Sequence, residues 1–176
     1  GAQKHQSLKE DKDKGVTEVE LIVNKHTRNI ASPFINQSKS WDDEELAIPE
    51  QLKKNIIEEL GFQKPSRIQA NAIPLIVGKD KEYENLIAQS KNGTGKTGAF
   101  SIGSVLRIDP KIQKCQVLVL AHVRELSQQI ADVYAALTKN TDINVSNFTA
   151  TGKCDGCHVV ISTIGKIQND FKNRKQ

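Results

Sequence analysis

The feature that most restricts the fold is an apolar triplet, Leu86-Ile87-Ala88, that leads through Gln89 into Ser90-Lys91-Asn92-Gly93-Thr94-Gly95-Lys96-Thr97. A stretch with helical character, Lys96 to Arg107, follows at once. Glycines at 93 and 95 let the backbone curl so that successive N–H groups face one concavity. A buried strand, a tight loop and a helix in immediate succession make half of a βαβ unit, and the rest of the chain continues the alternation. Val117-Leu118-Val119-Leu120-Ala121 reads as a second strand. Arg124 to Thr138 has helical spacing through Leu126, Ile130, Val133 and Leu137. Val145 to Phe148 reads as an edge or buried strand, and Val159-Val160-Ile161 as a further one, followed by a short terminal helix. The pattern predicts an α/β fold with a parallel sheet covered by helices on both faces and ligands at the carboxyl ends of the strands.

The loop itself is suited to phosphate. The inward N–H groups and the positive end of the following helix both favour an anion. Lys96 would reach the β- and γ-phosphates of a nucleotide, and the Thr97 hydroxyl would ligate magnesium. The segment is nearly a Walker A loop, with Ser90 where glycine or alanine is usual. Such a loop does not name an enzyme, because kinases, GTPases and motors share it.

Composition restricts less. The 176 residues suffice for one domain with its own core. With 37% hydrophobic and 26% charged residues, neither a disordered chain nor a coiled coil is indicated. No apolar run has membrane-spanning length, so no membrane partner is expected. No signal-peptide pattern opens the sequence, and a cytoplasmic or nuclear protein is the simplest expectation. The net charge of +4 permits a polyanionic partner without arguing for one. Residues 1–15 are almost wholly polar and read as a flexible tail, and residues 16–40 as an extended arm that begins with a short edge strand over Val16 to Val23. Residues 41–176 carry the domain. Its first helices are expected from Pro49 to Leu60, stopped by Gly61, and from Ser66 to Ile76.

Upstream of the loop lies Gly61-Phe62-Gln63-Lys64-Pro65-Ser66-Arg67-Ile68-Gln69, which resembles the Q motif of DEAD-box RNA helicases. With Ala88-Gln89-Ser90 leading into the loop, the resemblance is greatest to the branch that acts in mRNA export at the nuclear pore. It implies a RecA-like amino-terminal domain of the P-loop NTPase class that binds ATP. A glutamine amide can accept from adenine N6 and donate to N7, so Gln69 would select the base. Phe62 falls where the family stacks an aromatic ring on adenine, which adds affinity without choice. Trp41 is a candidate for the isolated aromatic that the family carries further upstream, with packing beneath the Q segment an equal expectation.

Two further segments resemble RNA-contacting motifs of the family. Ala121-His122-Val123-Arg124-Glu125-Leu126 is similar to Pro-Thr-Arg-Glu-Leu, with Arg124 kept and the threonine hydroxyl replaced by Val123. Thr163-Ile164-Gly165-Lys166 is similar to Thr-Pro-Gly, with isoleucine for proline. Between them Thr151-Gly152-Lys153 stands where the family has a longer glycine-containing loop. The implied RNA-binding residues are Arg124, Gly152, Thr163, Gly165 and Lys166. Single-stranded RNA, a second RecA-like domain and mRNA-export or nuclear-pore proteins are the implied partners, and a monomer is expected. The sequence as given ends before an Asp-Glu-Ala-Asp motif, so it reads as a single incomplete domain that binds ATP and magnesium with little or no turnover of its own. The alternatives are a catalytically inactive RNA- or partner-binding module and an unrelated P-loop kinase or ATPase, which the Q segment disfavours.

Cys154-Asp155-Gly156-Cys157-His158 has the spacing of a c-type haem attachment site. The sequence contains no methionine for an axial ligand. His158 also runs directly into the apolar Val159-Val160-Ile161. Zinc would need a fourth ligand, for which only the distant Cys115 offers a thiolate. Loop and core thiols are the expectation.

Overall fold

The computed structural model describes residues 20–21, 40–78 and 85–173. The expected tail over 1–15 and nearly all of the arm lie outside these residues. Strand β1 (Glu20–Leu21) is followed by helices α1 (Glu50–Glu58) and α2 (Arg67–Val77), then β2 (Ala88–Gln89) and α3 (Lys96–Val105). Strand β3 (Val117–Ala121), helix α4 (Arg124–Leu137), strand β4 (Val145–Asn147), the single-turn helix α5 (Phe148–Thr151), strand β5 (Val159–Thr163) and helix α6 (Ile164–Asn173) complete the order.

Strands β3, β5 and β4 form a parallel sheet in that order, with Val117 opposite Val159 and Val145 opposite the same residue on the other side. Strand β5 is central and accordingly apolar on both faces, with Val159, Val160 and Ile161 all buried. Strand β4 lies at an edge, one of the two positions its short apolar run allowed. The core gathers Ile56, Ile73, Ile102, Tyr134, Leu137 and Ile161 between the sheet and the helices.

One expectation fails. Leu86-Ile87-Ala88 reads as a buried strand, but Ile87 is 72% exposed and the strand itself is Ala88–Gln89. Its partner is β1, in antiparallel pairing with Glu20 opposite Gln89, and among the described residues it makes no ladder with β3. On β3 the side chains of Leu118 and Leu120 are also exposed. A short apolar run encodes a readiness for burial, and whether burial follows depends on what lies beside it.

Helix ends follow local chemistry. Gly61 at φ +71° lies just beyond the end of α1, and Gly78 at φ +76° stops α2 after it has run through Pro74. The end of α4 is held by another element: Asn55, buried on α1, donates from Nδ2 to the carbonyls of Leu137 at 2.8 Å and Lys139 at 2.7 Å. The first is a terminal carbonyl that the helix cannot satisfy itself, and the second lies just past the helix end. Asn55→Leu should therefore lower stability by about 2–4 kcal/mol, because two carbonyls lose their partner without regaining water. Urea denaturation with an unchanged slope would show it.

Candidate functional site

The phosphate-type loop is closed on itself by side chains. Ser90 Oγ and Thr94 Oγ1 share a hydrogen bond of 2.6 Å across its mouth, and Thr94 Oγ1 also donates to the Lys91 carbonyl at 2.9 Å. Lys96 folds back into the ring, donating from Nζ to the carbonyls of Ser90 at 2.5 Å and Lys91 at 2.8 Å. An ammonium has three donors, so one remains, and an anion in the ring would replace the two carbonyls as its partners. Gly93 at φ +78° and Gly95 at φ +94° hold the left-handed backbone that a side chain would strain. Asn92 lies exposed in the turn just before Gly93, and Thr97 is half-buried in the first turn of α3.

The Q segment rests directly on this loop. Trp41 is buried, and its Nε1–H donates to the Phe62 carbonyl at 2.7 Å, so its place is packing beneath the segment. Gln69 is 2% exposed. Its Oε1 accepts from the Ser66 backbone N–H at 2.9 Å, which caps α2, and its Nε2 donates to the Gly95 carbonyl at 3.3 Å. Oε1 keeps a second lone pair and Nε2 a second N–H, so the amide retains one acceptor and one donor.

Two residues of this site were not singled out from the sequence. A Cβ on Gly98 would lie 2.6 Å from Gln69 Nε2 and 2.7 Å from Phe62 Cε2. One on Gly103 would lie 2.9 Å from the Ile76 side chain. Glycine costs about 1 kcal/mol in a helix interior relative to alanine, and that cost is the signal that could have found both: they let α2 and the Q segment approach α3.

The second group of predicted residues collects at the carboxyl edge of the parallel sheet. Arg124 is exposed at the first position of α4, just after β3. A shallow cavity of about 290 Å³ is lined by Arg124, Gln128, Asn147 and Thr149 among others. Thr149 Oγ1 accepts from the Thr163 N–H at 2.8 Å, which ties α5 to the end of β5. Gly152 takes φ +64° as the cap of α5, and Lys166 Nζ lies 3.7 Å from where its Cβ would be and 5.4 Å from the centre of the Phe148 ring. Gly165 is exposed at the start of α6. Thus Arg124, Gly152, Thr163, Gly165 and Lys166, scattered over more than forty positions of sequence, share one edge because β3, β4 and β5 run parallel. Thr149 and Asn147 belong to that edge and were missed, since α5 is too short to leave a periodic signal.

His158 is fully buried, and both ring nitrogens are engaged by backbone. The Asn144 N–H donates to Nδ1 at 2.9 Å, so the proton sits on Nε2, which donates to the Pro110 carbonyl at 3.2 Å. It is no ligand for haem or zinc. Among the described residues no group of three His, Cys, Asp or Glu side chains is placed to hold a metal.

A parallel sheet flanked by helices, with a glycine-lysine-threonine loop opening α3, defines a RecA-like P-loop domain. The family model for DEAD/DEAH box helicases matches residues 66–176, and the chain belongs to that family. It is 37% identical over 137 residues to the ATP-dependent RNA helicase DBP5 of Scheffersomyces stipitis, a match covering 76% of this chain and 27% of that protein. It is 37% identical over 171 residues to eIF4A of Aspergillus clavatus, covering 92% of this chain and 39% of that one. Among solved structures, S. cerevisiae Dbp5 bound to RNA and ADP BeF3 superposes with a TM-score of 0.66 at 34% identity, over 77% of this chain and 34% of the other. The chain therefore spans between about a quarter and two-fifths of the length of these relatives.

The packing makes Gly98→Ala a direct test of the Q segment's seat. The added methyl should displace Phe62 and the Gln69 amide and lower stability by about 1–3 kcal/mol. Trp41, the only tryptophan, reports it, since its hydrogen bond to Phe62 should be disturbed and its fluorescence shifted.

Proposed function

We propose that the chain is the ATP-binding domain of a DEAD-box RNA helicase, which couples ATP binding and hydrolysis to binding and remodelling of single-stranded RNA. The observation that carries this reading is the hydrogen bond from Gln69 Nε2 to the Gly95 carbonyl, which puts a base-reading amide in contact with a phosphate-type loop. Gln69 would pair its remaining acceptor and donor with adenine N6 and N7, with the Phe62 ring against the base. Loop N–H groups from Ser90 to Thr97 would cradle the phosphates, Lys96 would hold the β- and γ-phosphates, and Thr97 would give magnesium one ligand. Phosphate oxygens and water would complete the magnesium shell, the usual arrangement for this ion. Bound ATP and magnesium supply the phosphoryl group and the charge neutralisation for hydrolysis. Arg124, Gly152, Thr163, Gly165 and Lys166 would meet the RNA backbone through cationic side chains and helix amino termini.

The likeness to DBP5, together with Ala88-Gln89-Ser90, supports membership of the mRNA-export branch, with nuclear and cytoplasmic residence and nuclear-pore partners. A second RecA-like domain would close on this one across the nucleotide.

Titration with labelled nucleotides tests the base-reading role: ATP should bind with magnesium at least tenfold more tightly than GTP, and equal affinities would sink the role given to Gln69. Lys96→Ala should weaken ATP binding by at least tenfold, about 1.4 kcal/mol or more, with an unchanged unfolding midpoint. For RNA, Lys166→Ala should reduce the slope of log affinity against log salt by about one, the signature of one lost phosphate contact.

A further inference from the structure

The cysteine segment has no part in the nucleotide or RNA reading, and its geometry is specific. Residues 154–157 form a tight turn: the Cys157 N–H donates to the Cys154 carbonyl at 3.4 Å, and Gly156, the third residue, takes φ +67°. A turn of this kind brings the Cα atoms of its first and last residues within about 7 Å. A disulfide needs about 4.4–6.8 Å between Cα atoms, so the turn brings the two cysteines close to that range. Cys157 Sγ folds back over the turn and donates to the Asp155 carbonyl at 3.7 Å. Both thiols are half-buried and free, and burial, with a smaller effect of the neighbouring Cys154, pushes the Cys157 thiol up. His158 is not free to join the cysteines on a metal, because both its nitrogens are bonded to backbone.

We propose that Cys154 and Cys157 are a reversible redox modification site, closing an intramolecular disulfide by exchange with a low-molecular-weight disulfide such as oxidised glutathione. One thiolate attacks the small disulfide, forming a mixed disulfide and releasing one small thiol. The second cysteine then loses its proton and attacks the protein-side sulfur, closing the Cys154–Cys157 bond and releasing the second small thiol. The two protein sulfurs are oxidised by two electrons in total and the small disulfide is reduced by two. Cys115 is exposed near both, at the approach to β3 beside β5, and only Cys154 and Cys157 share a turn. The bridge would fasten the segment that joins Gly152 to β5. Ser146 Oγ already holds it at one point by donating to the Lys153 carbonyl.

The experiment equilibrates the folded protein in graded mixtures of oxidised and reduced glutathione, quenches with an alkylating reagent and maps the cysteines by mass spectrometry. A parallel series is run in 8 M urea, a concentration chosen to unfold the chain. Expected is joint loss of alkylation at Cys154 and Cys157, with Cys115 still alkylated, and an equilibrium constant for the bridge at least tenfold larger in the folded protein than in urea. Cys115→Ser should leave this unchanged, while Cys154→Ser should leave Cys157 able to form only a mixed disulfide. A bridge that uses Cys115, stable mixed disulfides in place of the bridge, or an equilibrium constant no larger in the folded protein than in urea would each overturn the proposal.

Discussion

The close seat of the Q segment on the first turns of α3 is the contact on which the site depends. A single amide, that of Gln69, accepts from the N–H that opens α2 and donates to the carbonyl that precedes α3. Because the amide is buried, both bonds form where water does not compete, and losing either would leave a desolvated group behind. The approach that allows this requires bare backbone at Gly98 and Gly103. The loop is thereby held from outside by the Q segment as well as from inside by Lys96. Both restraints end on backbone carbonyls flanking the curl, and the curl is what orients the loop N–H groups.

The second zone arises from topology. Parallel strands place every strand-to-helix connection at the same edge, so Arg124 after β3, Thr149 after β4 and Lys166 after β5 become neighbours without any sequence proximity. Short local bonds then fix the edge. The Thr163 N–H to Thr149 Oγ1 bond joins two connections, and Asn147 Nδ2 to Gln128 Oε1 at 2.8 Å joins the second of them to α4. Cationic side chains remain toward solvent, with Lys166 laid over Phe148, where the ring face attracts its charge.

Much of this was legible in the sequence, and the parts that were not share a cause. Helices α1 to α4 and strands β3 and β5 carry strong periodicity or continuous apolar runs, and their positions follow from it. The Ser90 to Thr97 loop was readable because its glycines and its lysine each answer a local requirement. What failed depends on partners that a pattern cannot name. Ile87 belongs to a run as apolar as that of β5, yet it lies exposed, and the strand that follows it pairs with the two-residue β1. Gly98 was not singled out, and its reason lies in a ring and an amide some thirty positions earlier. His158 was expected to run into a buried strand and not to serve a metal, and only the two loops that engage its ring, which meet in three dimensions, were beyond reading.

The two zones are also mechanically joined. Helix α3 starts at the loop and α4 starts at Arg124, and their bodies are tied where Ser104 Oγ and Tyr134 Oη share a hydrogen bond of 2.6 Å. Tyr134 is fully buried, and burial pushes its hydroxyl above the ordinary phenol range, which favours the neutral form that shares the bond. With α4 also fastened to α1 through Asn55, the helix has contacts on both sides that would resist sliding along the sheet. Close-packed interiors of this kind move as units and do not yield gradually. The separation between the loop and the carboxyl edge is therefore set by the packing of α3 against α4, and a side chain that altered that packing would shift the two zones relative to each other while leaving each internally intact.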